Sequence, residues 1–202
     1  LIDKPGEFAL GEADGYLYYW PRSEPIEQQE IIAPTVPSII QVKGRSATAL
    51  ARNIVFQGLT LTVTDFAKSV IHFNDHDGAV HIENAEKVTV QFSKVRNTGG
   101  HGVMLSGYAQ ENVVYGNLLE DLGIHGVSLH GPAIGDAHVN KNNRVSNNYI
   151  RRGGQLYGFG SGVMLDNSGD NEVSYNKITD MPRYGVSLKG LTYGRMATSY
   201  KG

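Results

Sequence analysis

The sequence predicts an all-β fold, a right-handed parallel β-helix in which the chain makes one turn in about 23–24 residues. Three observations carry this prediction. A strand motif of the form G-V-x-L recurs along the chain, its copies are evenly spaced, and 25 glycines among 202 residues favour short strands and tight turns over helix bundles. The length suits one compact domain with a substantial core.

The repeated motif reads GHGVMLSG at 100–107, IHGVSLHG at 124–131, GSGVMLDN at 160–167 and YGVSLKG at 184–190, with a weaker copy, GAVHIEN, at 78–84. The marker valines of these copies are 23, 24, 36 and 23 residues apart. Valine and leucine alternate with other residues, as in a strand with one buried face. An antiparallel sandwich would not put like residues at like positions, so a stacked coil is favoured.

A second strand motif lies between the copies of the first. It reads VQFSKVRN, VYGNLLED, VSNNYIRR and VSYNKITD, starting at 90, 114, 145 and 173. Its fourth position holds Ser93, Asn117, Asn148 and Asn176, which are expected to hydrogen-bond along the stack in a structural role. Its last position holds a set predicted to cap turns: Asn97, Asp121, Arg152 and Asp180.

Residues 1–50 differ from the repeats and predict an irregular flank with short strands, followed by rungs over 51–202. Five of the seven prolines fall at or before Pro37, and GYLYYWPR occupies 15–22. The alternating segment SIIQV is a strand of this flank or an early rung. Tyr18, Tyr19 and Trp20 form either a sugar-stacking platform or a packed edge.

Composition excludes several classes of protein. The net charge is -2 and basic residues are scattered, which argues against a nucleic-acid partner. No apolar run predicts a membrane span, and the absence of cysteine removes disulfides and thiolate chemistry. His72, Asp75, His76 and Asp77 have metal-ligand residue types without a zinc spacing, so a solvated loop and no metal site are expected.

The order of motifs resembles that of bacterial right-handed β-helix carbohydrate-active proteins. PGEFAL, GYLYYWPR, IIAPTVPSIIQVKG and NIVFQGLTLT precede the G-V-x-L turns, which end in PRYGVSLKG. The nearest are β-helix glycoside hydrolases with fucosidase and xylanase activities. The resemblance implies a secreted or periplasmic enzyme acting on a plant or algal polysaccharide. Members of this group are commonly longer, so we expect a fragment, or an oligomeric partner over the open ends of the solenoid.

Aligning the copies stacks one outward residue from each: Glu83, Ser106, His130, Asp166 and Lys189. Neighbouring rungs are about 4.8 Å apart, so adjacent members are within reach of each other. The longer interval adds two insertions, GPAIGDAHVNKNN and GGQLYGFGS, beside the strands of His130 and Asp166. Loops raised on both sides of one face predict a groove for an extended ligand.

Glycoside hydrolysis needs two carboxyl groups, and Asp166 is the first candidate. Its partner is Asp136 on the first insertion or a carboxylate outside this chain, because Glu83 is about 14 Å away by stacking. His130 would orient Asp166, although an aspartate at a turn also caps backbone amides. The residues expected to contact substrate are Lys189, Glu83, Tyr157, Phe159, His125, His101 and Tyr184.

Two other functions fit the same pattern. A polysaccharide lyase would use a lysine, arginine or histidine base near Ca²⁺ held by carboxylates, and Lys189 beside Asp166 fits that pattern, whereas the hydrolase needs no cofactor. A non-catalytic carbohydrate-binding or structural segment would use the groove for recognition alone.

Overall fold

The computed structural model describes residues 2–11, 13–66, 77–132 and 139–190, and the chain divides into two units, Leu1–Ala33 and Pro34–Gly202. The first unit contains an antiparallel hairpin of β1 (Phe8–Leu10) and β2 (Leu17–Tyr19), followed by a 3₁₀ turn. The Tyr18 hydroxyl donates to Asp14 Oδ2 over 2.7 Å, which ties the hairpin turn to its second strand. Tyr18 and Trp20 are 51% and 44% exposed.

The second unit is a parallel β-helix, as the repeat predicts. Its strands are β3 (Ile40–Lys43), β4 (Ala51–Gln57), β5 (Thr60–Thr62), β6 (Gly78–Gln91), β7 (Lys94–Thr98), β8 (His101–Gln110), β9 (Val113–Tyr115), β10 (Leu118–Leu122), β11 (Val127–His130), β12 (Asn140–Lys141), β13 (Arg144–Ser146), β14 (Tyr149–Arg151), β15 (Ser161–Asp166), β16 (Glu172–Ser174), β17 (Lys177–Thr179) and β18 (Tyr184–Lys189). Every pairing between these named strands is parallel, which is the defining property of a coil of stacked rungs.

The marker valines stack in the order that the sequence repeat predicts. The paired positions are Val80 with Val103, Val103 with Val127, Val127 with Val163 and Val163 with Val186. The isoleucine or leucine two residues later follows the same register, and Ile82, Leu105, Leu129 and Leu165 join the same hydrophobic core. In the last described rung Val186 and Leu188 are exposed. The period of the sequence is therefore the period of the coil.

The ladder begins earlier than residue 51. Strand β3 pairs with β6, with Ile40 in register with Val80. The segment SIIQV, which the sequence assigned either to the flank or to an early rung, therefore forms a rung. The division between the compact units falls between Ala33 and Pro34. Whether a partner chain covers either end of the coil stays a prediction.

The central strands of the repeated motif, β8, β11 and β15, are buried on both faces in their middle, whereas the alternation predicts one buried face. Met104, Ser128 and Met164 lie between the inward valine and leucine of β8, β11 and β15, yet they are at most 3% exposed. The two methionines do not belong to the central hydrophobic cluster. The outer face of these strands is therefore covered in the middle and accessible nearer the carboxyl ends of the strands, where the column of variable residues lies.

Left-handed backbone conformations recur at the corners of the coil, which explains how the chain turns with so few residues. Positive φ occurs at Asn84, Gly107 and Asn167, directly after the outward column, and at three further corners. One corner has positive φ at Asn53, Lys87, Glu111, Asn142 and Asp170, the next at Gly58, Phe92, Gly116, Asn147 and Tyr175, and the third at Val63, Asn97, Asp121, Arg152 and Asp180. The last group includes the four residues predicted to cap turns. Asparagine, aspartate and glycine adopt this conformation most readily, which accounts for their frequency between the strands.

The asparagine ladder is present at the second corner. Asn117 Nδ2 donates to Asn148 Oδ1 over 3.0 Å, and Asn148 Nδ2 donates to Asn176 Oδ1 over 2.9 Å. A second ladder, not identified from the sequence, runs along the first corner through Asn112, Asn143 and Asn171. Both ladders satisfy buried backbone groups of the neighbouring rungs, so they fix the spacing of the coil.

Candidate functional site

The five outward residues of the repeat form one column in the structure. Register pairs Glu83 with Ser106, Ser106 with His130, His130 with Asp166, and Asp166 with Lys189. Lys43 extends the column by one rung beyond Glu83, a member that the sequence repeat did not reveal. Glu83 and Asp166 are three rungs apart, about 14 Å by stacking, so they do not form the carboxyl pair of a glycosidase.

Asp166 lies between two basic side chains. Its Oδ2 is 3.4 Å from Nδ1 of His130, and the two side chains are 14% and 25% exposed. On its other side Lys189 has a lowered pKa, first because burial disfavours the ammonium, with the charge of Asp166 opposing and that of Arg183 reinforcing this effect. The carboxylate is thus largely buried between His130 and Lys189.

Aromatic rings and one arginine form a cluster beside these residues. The rings of Tyr157 and Phe159 have centroids 5.6 Å apart. The guanidinium of Arg183 lies 4.7 Å from the ring centroid of Phe159 and 4.9 Å from that of Tyr184. Arg183 was missed by the sequence analysis, although it directly precedes the last G-V-x-L copy. This cluster, Tyr157, Phe159, Arg183 and Tyr184, offers flat apolar faces next to charged hydrogen-bond donors.

His101 and His125 are fully buried, contrary to the expectation that they line the groove. Their rings stack with centroids 5.0 Å apart and planes at 1°. His101 Nδ1 accepts the backbone N–H of His125 over 3.3 Å, and His125 Nδ1 accepts that of Ser161 over 2.8 Å. Burial, reinforced by the charge of Lys189, lowers the pKa of His125 to about 3, so this ring stays neutral. The pair acts as another ladder between rungs.

Glu83 is held by Lys43 in an ion pair of 2.6 Å. The side chains are 29% and 63% exposed, and the hydrogen bond to Glu83 raises the pKa of Lys43. The role of Glu83 in binding substrate stays a prediction. A small cavity of about 230 Å³ opens beside this pair and is lined by Gln41, Val42, Lys43, Asp77, His81 and Glu83.

The cavity adjoins a hydrogen-bonded chain of three side chains that sequence reasoning missed. His81 Nδ1 lies 2.6 Å from Asp77 Oδ1, and His81 Nε2 lies 2.7 Å from Ser106 Oγ. In the aligned repeats His81 and Ser106 belong to neighbouring rungs, and that alignment was the available signal. Asp136, His72, Asp75 and His76 lie outside the described residues.

Comparison with known proteins identifies one family and one fold relative. The model of the family described as periplasmic copper-binding protein (NosD) matches residues 27–198. A solved structure described as a glycoside hydrolase superposes with a TM-score of 0.76 at 20% sequence identity, over 93% of this chain and 39% of that one. The chain thus spans about two fifths of that protein, and the likeness shows the fold. No curated protein matches the chain.

The copper in the family description does not fit the side chains within the described ranges. Over these ranges no three histidine, cysteine, aspartate or glutamate residues form a group able to hold a metal ion. The chain has no cysteine, and the stacked histidines use Nδ1 to accept backbone N–H groups. Ca²⁺, which prefers several oxygen ligands, has no such group there either.

Proposed function

The chain belongs to the NosD family, and we propose that its coil carries a carbohydrate-active site, that of a glycoside hydrolase acting on a plant or algal polysaccharide. The observation that carries the proposal is the partly buried His130–Asp166–Lys189 column beside the cluster of Tyr157, Phe159, Arg183 and Tyr184. Sugar rings present apolar faces that stack on aromatic side chains and hydroxyl groups that pair with charged ones. This combination suits a glycan lying across β11, β15 and β18.

Asp166 is the carboxylate of the reaction in this proposal. It acts on the anomeric carbon or on the attacking water, while Asp136 supplies the proton to the leaving oxygen. His130, 3.4 Å away, positions Asp166 and does not itself react. Lys189 and Arg183 hold the glycan by its hydroxyl or acidic groups.

The place of action proposed for the protein is the periplasm or the outside of the cell. The family description supports it because it names the periplasm. No helix in the described part of the chain is long and apolar enough to cross a membrane.

The experiment is incubation of the 202-residue chain with a panel of plant and algal glycans, with and without EDTA, recording new reducing ends and ultraviolet absorbance together. We expect reducing ends without absorbance, unaffected by EDTA. Asp166→Asn should lower kcat by about 100-fold or more, because it removes a reacting carboxylate. Asp180→Asn is the matched control, since it makes the same change at an exposed corner. Equal turnover by Asp166→Asn and the parent chain would contradict the proposal.

A polysaccharide lyase is the second candidate, favoured by one observation. The lowered pKa of Lys189 makes its neutral amine, the form that accepts a proton, more populated at a given pH. A lyase leaves an unsaturated product that absorbs in the ultraviolet. Absorbance that is lost in Lys189→Met would assign the lyase reaction and exclude hydrolysis. Glycan binding without either product would indicate a non-catalytic carbohydrate-binding segment.

A further inference from the structure

The hydrogen-bonded chain of Asp77, His81 and Ser106 has the arrangement of a serine nucleophile with its base. An ionised carboxylate only accepts hydrogen bonds, so Asp77 accepts the Nδ1 proton of His81 over 2.6 Å. The lone pair of Nε2 is then directed at the hydroxyl of Ser106, 2.7 Å away. Both distances lie within the range in which a base activates a nucleophile and a third group orients the base.

The fold brings these residues together from two neighbouring rungs. Asp77 directly precedes β6, His81 lies within β6, and Ser106 is on the neighbouring rung in β8. His81 is in register with Met104, so its ring leans diagonally along the strand to reach Ser106. The side chains of His81 and Asp77 are 17% and 32% exposed, so the chain of hydrogen bonds is open at the surface of the coil.

The backbone changes course directly after the serine. Gly107 has φ +55, and the pairing of β6 with β8 shifts register between Glu83 and Ala85. A Cβ at Gly107 would have its nearest neighbour at 3.8 Å, which leaves room beside Ser106. Asn84 and Asn167 have positive φ at the equivalent position of their own rungs, so Ser106 stands directly before a corner of the coil.

We propose that Ser106, His81 and Asp77 form a hydrolytic site for small acyl esters, such as acetyl esters of an alcohol or a sugar. A cavity of about 230 Å³ is lined by Asp77 and His81, though not by Ser106, and its small size beside the base favours a short acyl group. Lys43 also lines this cavity, and its ammonium supplies positive charge there. The catalytic groups are not those of the proposed glycan reaction, so the two proposals stand or fall separately.

The reaction runs in two balanced steps. Ser106 Oγ forms a bond to the acyl carbon while its proton passes to His81 Nε2, and the C–O bond to the alcohol breaks as that alcohol takes the proton from His81. Water then attacks the acyl-serine, giving its proton to His81, and the carboxylic acid leaves as Ser106 regains its proton. Ser106 and His81 are catalytic residues, whereas Asp77 is a positioning residue that acts through His81.

The test is covalent labelling of the full chain with a fluorophosphonate probe, combined with hydrolysis of p-nitrophenyl acetate. We expect one adduct by intact mass, located by peptide mapping at Ser106, and ester turnover that Ser106→Ala abolishes. His81→Gln should lower the labelling rate by about 100-fold or more, because the general base is lost. Ser174→Ala is the matched control, since Ser174 Oγ donates its hydrogen bond to Glu172 and not to a histidine.

A readout independent of turnover separates catalysis from structure. Asp77→Asn should slow labelling of Ser106 and remove the downfield imidazole N–H resonance of the Asp77–His81 hydrogen bond, with the melting temperature little changed. A chain that neither reacts with the probe nor turns over the ester overturns the proposal. So does labelling spread over surface serines, or a Ser106→Ala variant that hydrolyses the ester at the parent rate.

Discussion

The asparagine ladder and the outward column run along the same coil, yet they follow different rules. Asn117, Asn148 and Asn176 repeat one side chain, because an amide donates and accepts and can therefore stack on its own kind. The outward column changes residue at each rung from Lys43 to Lys189; it pairs Lys43 with Glu83 and places Asp166 3.4 Å from His130. Identical charges on neighbouring strands would repel. A column that repeats one side chain thus identifies the structural frame of the coil, and a column whose residues vary identifies candidate functional positions.

The strongest test of this comparison removes a central rung of the ladder. Asn148→Ala deletes a side chain that accepts from Asn117 N and Asn117 Nδ2 and donates to Val114 O. Several buried polar groups lose their partners, so we expect the free energy of unfolding to fall by about 3–5 kcal/mol. Urea unfolding measures this. Asn176→Ala is the milder control, and a loss below about 1 kcal/mol in Asn148→Ala would show that the ladder is not structural.

The histidine ladder tests the same rule through pH. His125 has a pKa of about 3 in the folded chain against 6.5 for the free side chain, so the unfolded chain binds the proton first. This contribution to stability is complete above pH 6.5 and is lost progressively as the pH falls toward 3. Between pH 7 and pH 4.5 the loss is about 2–3 kcal/mol.

The non-titrating variant His125→Asn isolates that effect. Asparagine retains an acceptor for the Ser161 N–H without a group that ionises. Unfolding by urea at several pH values should show a shallower decline than for the parent chain. Parallel curves for the two proteins would contradict a neutral, buried His125.

A second column of charged residues, on β7, β10 and β14, provides a test of whether alternating charge by itself indicates function. Arg96, Glu120 and Arg151 are in register, and Glu120 Oε2 contacts Arg151 over 2.6 Å. The hydrogen bond from Arg151 lowers the pKa of Glu120, so its contribution is present above the unfolded value near 4.5 and is lost in acid. Glu120→Gln should cost about 1–3 kcal/mol at pH 7, less at pH 3, and leave turnover unchanged.

The smallest effect is expected at the exposed end of the variable column. Lys43→Gln breaks an ion pair whose lysine side chain is 63% exposed, so the free energy of unfolding should change by less than about 1 kcal/mol. Thermal unfolding at low and high salt measures it. A large loss of stability in Lys43→Gln would show that the outward column is structural, as the asparagine ladder is. It would remove the difference between the two columns on which the site assignment depends.

The sequence predicts the coil well because the core obeys a simple period. Val103, Val127 and Val163 stack as aligned, and so do Ser106, His130 and Asp166. The second amide ladder was equally readable, since an asparagine stands two residues before the valine at 114, 145 and 173. What alignment did not give was the direction of side chains between rungs.

Two features illustrate that limit. His101 and His125 have residue types typical of a site, and their burial depends on what covers the outer face of the strands. Asp77, His81 and Ser106 share no local motif, and their contact arises from a diagonal reach across one strand pairing. Register can be inferred from a repeat, whereas rotamers and coverage require coordinates.

The corners of the coil have a consequence for how such a chain changes over evolution. Although 36 residues separate Val127 from Val163, the strands on both sides keep the register of the shorter rungs. Asn140, fully buried, donates to Leu105 O over 3.0 Å where the first insertion returns to the coil. Because the entropy of closing a loop grows slowly with its length, additional residues here add little to the cost of folding. Insertions beside Asp166 can therefore grow longer and change ligand specificity while the geometry of the rungs beneath them stays the same.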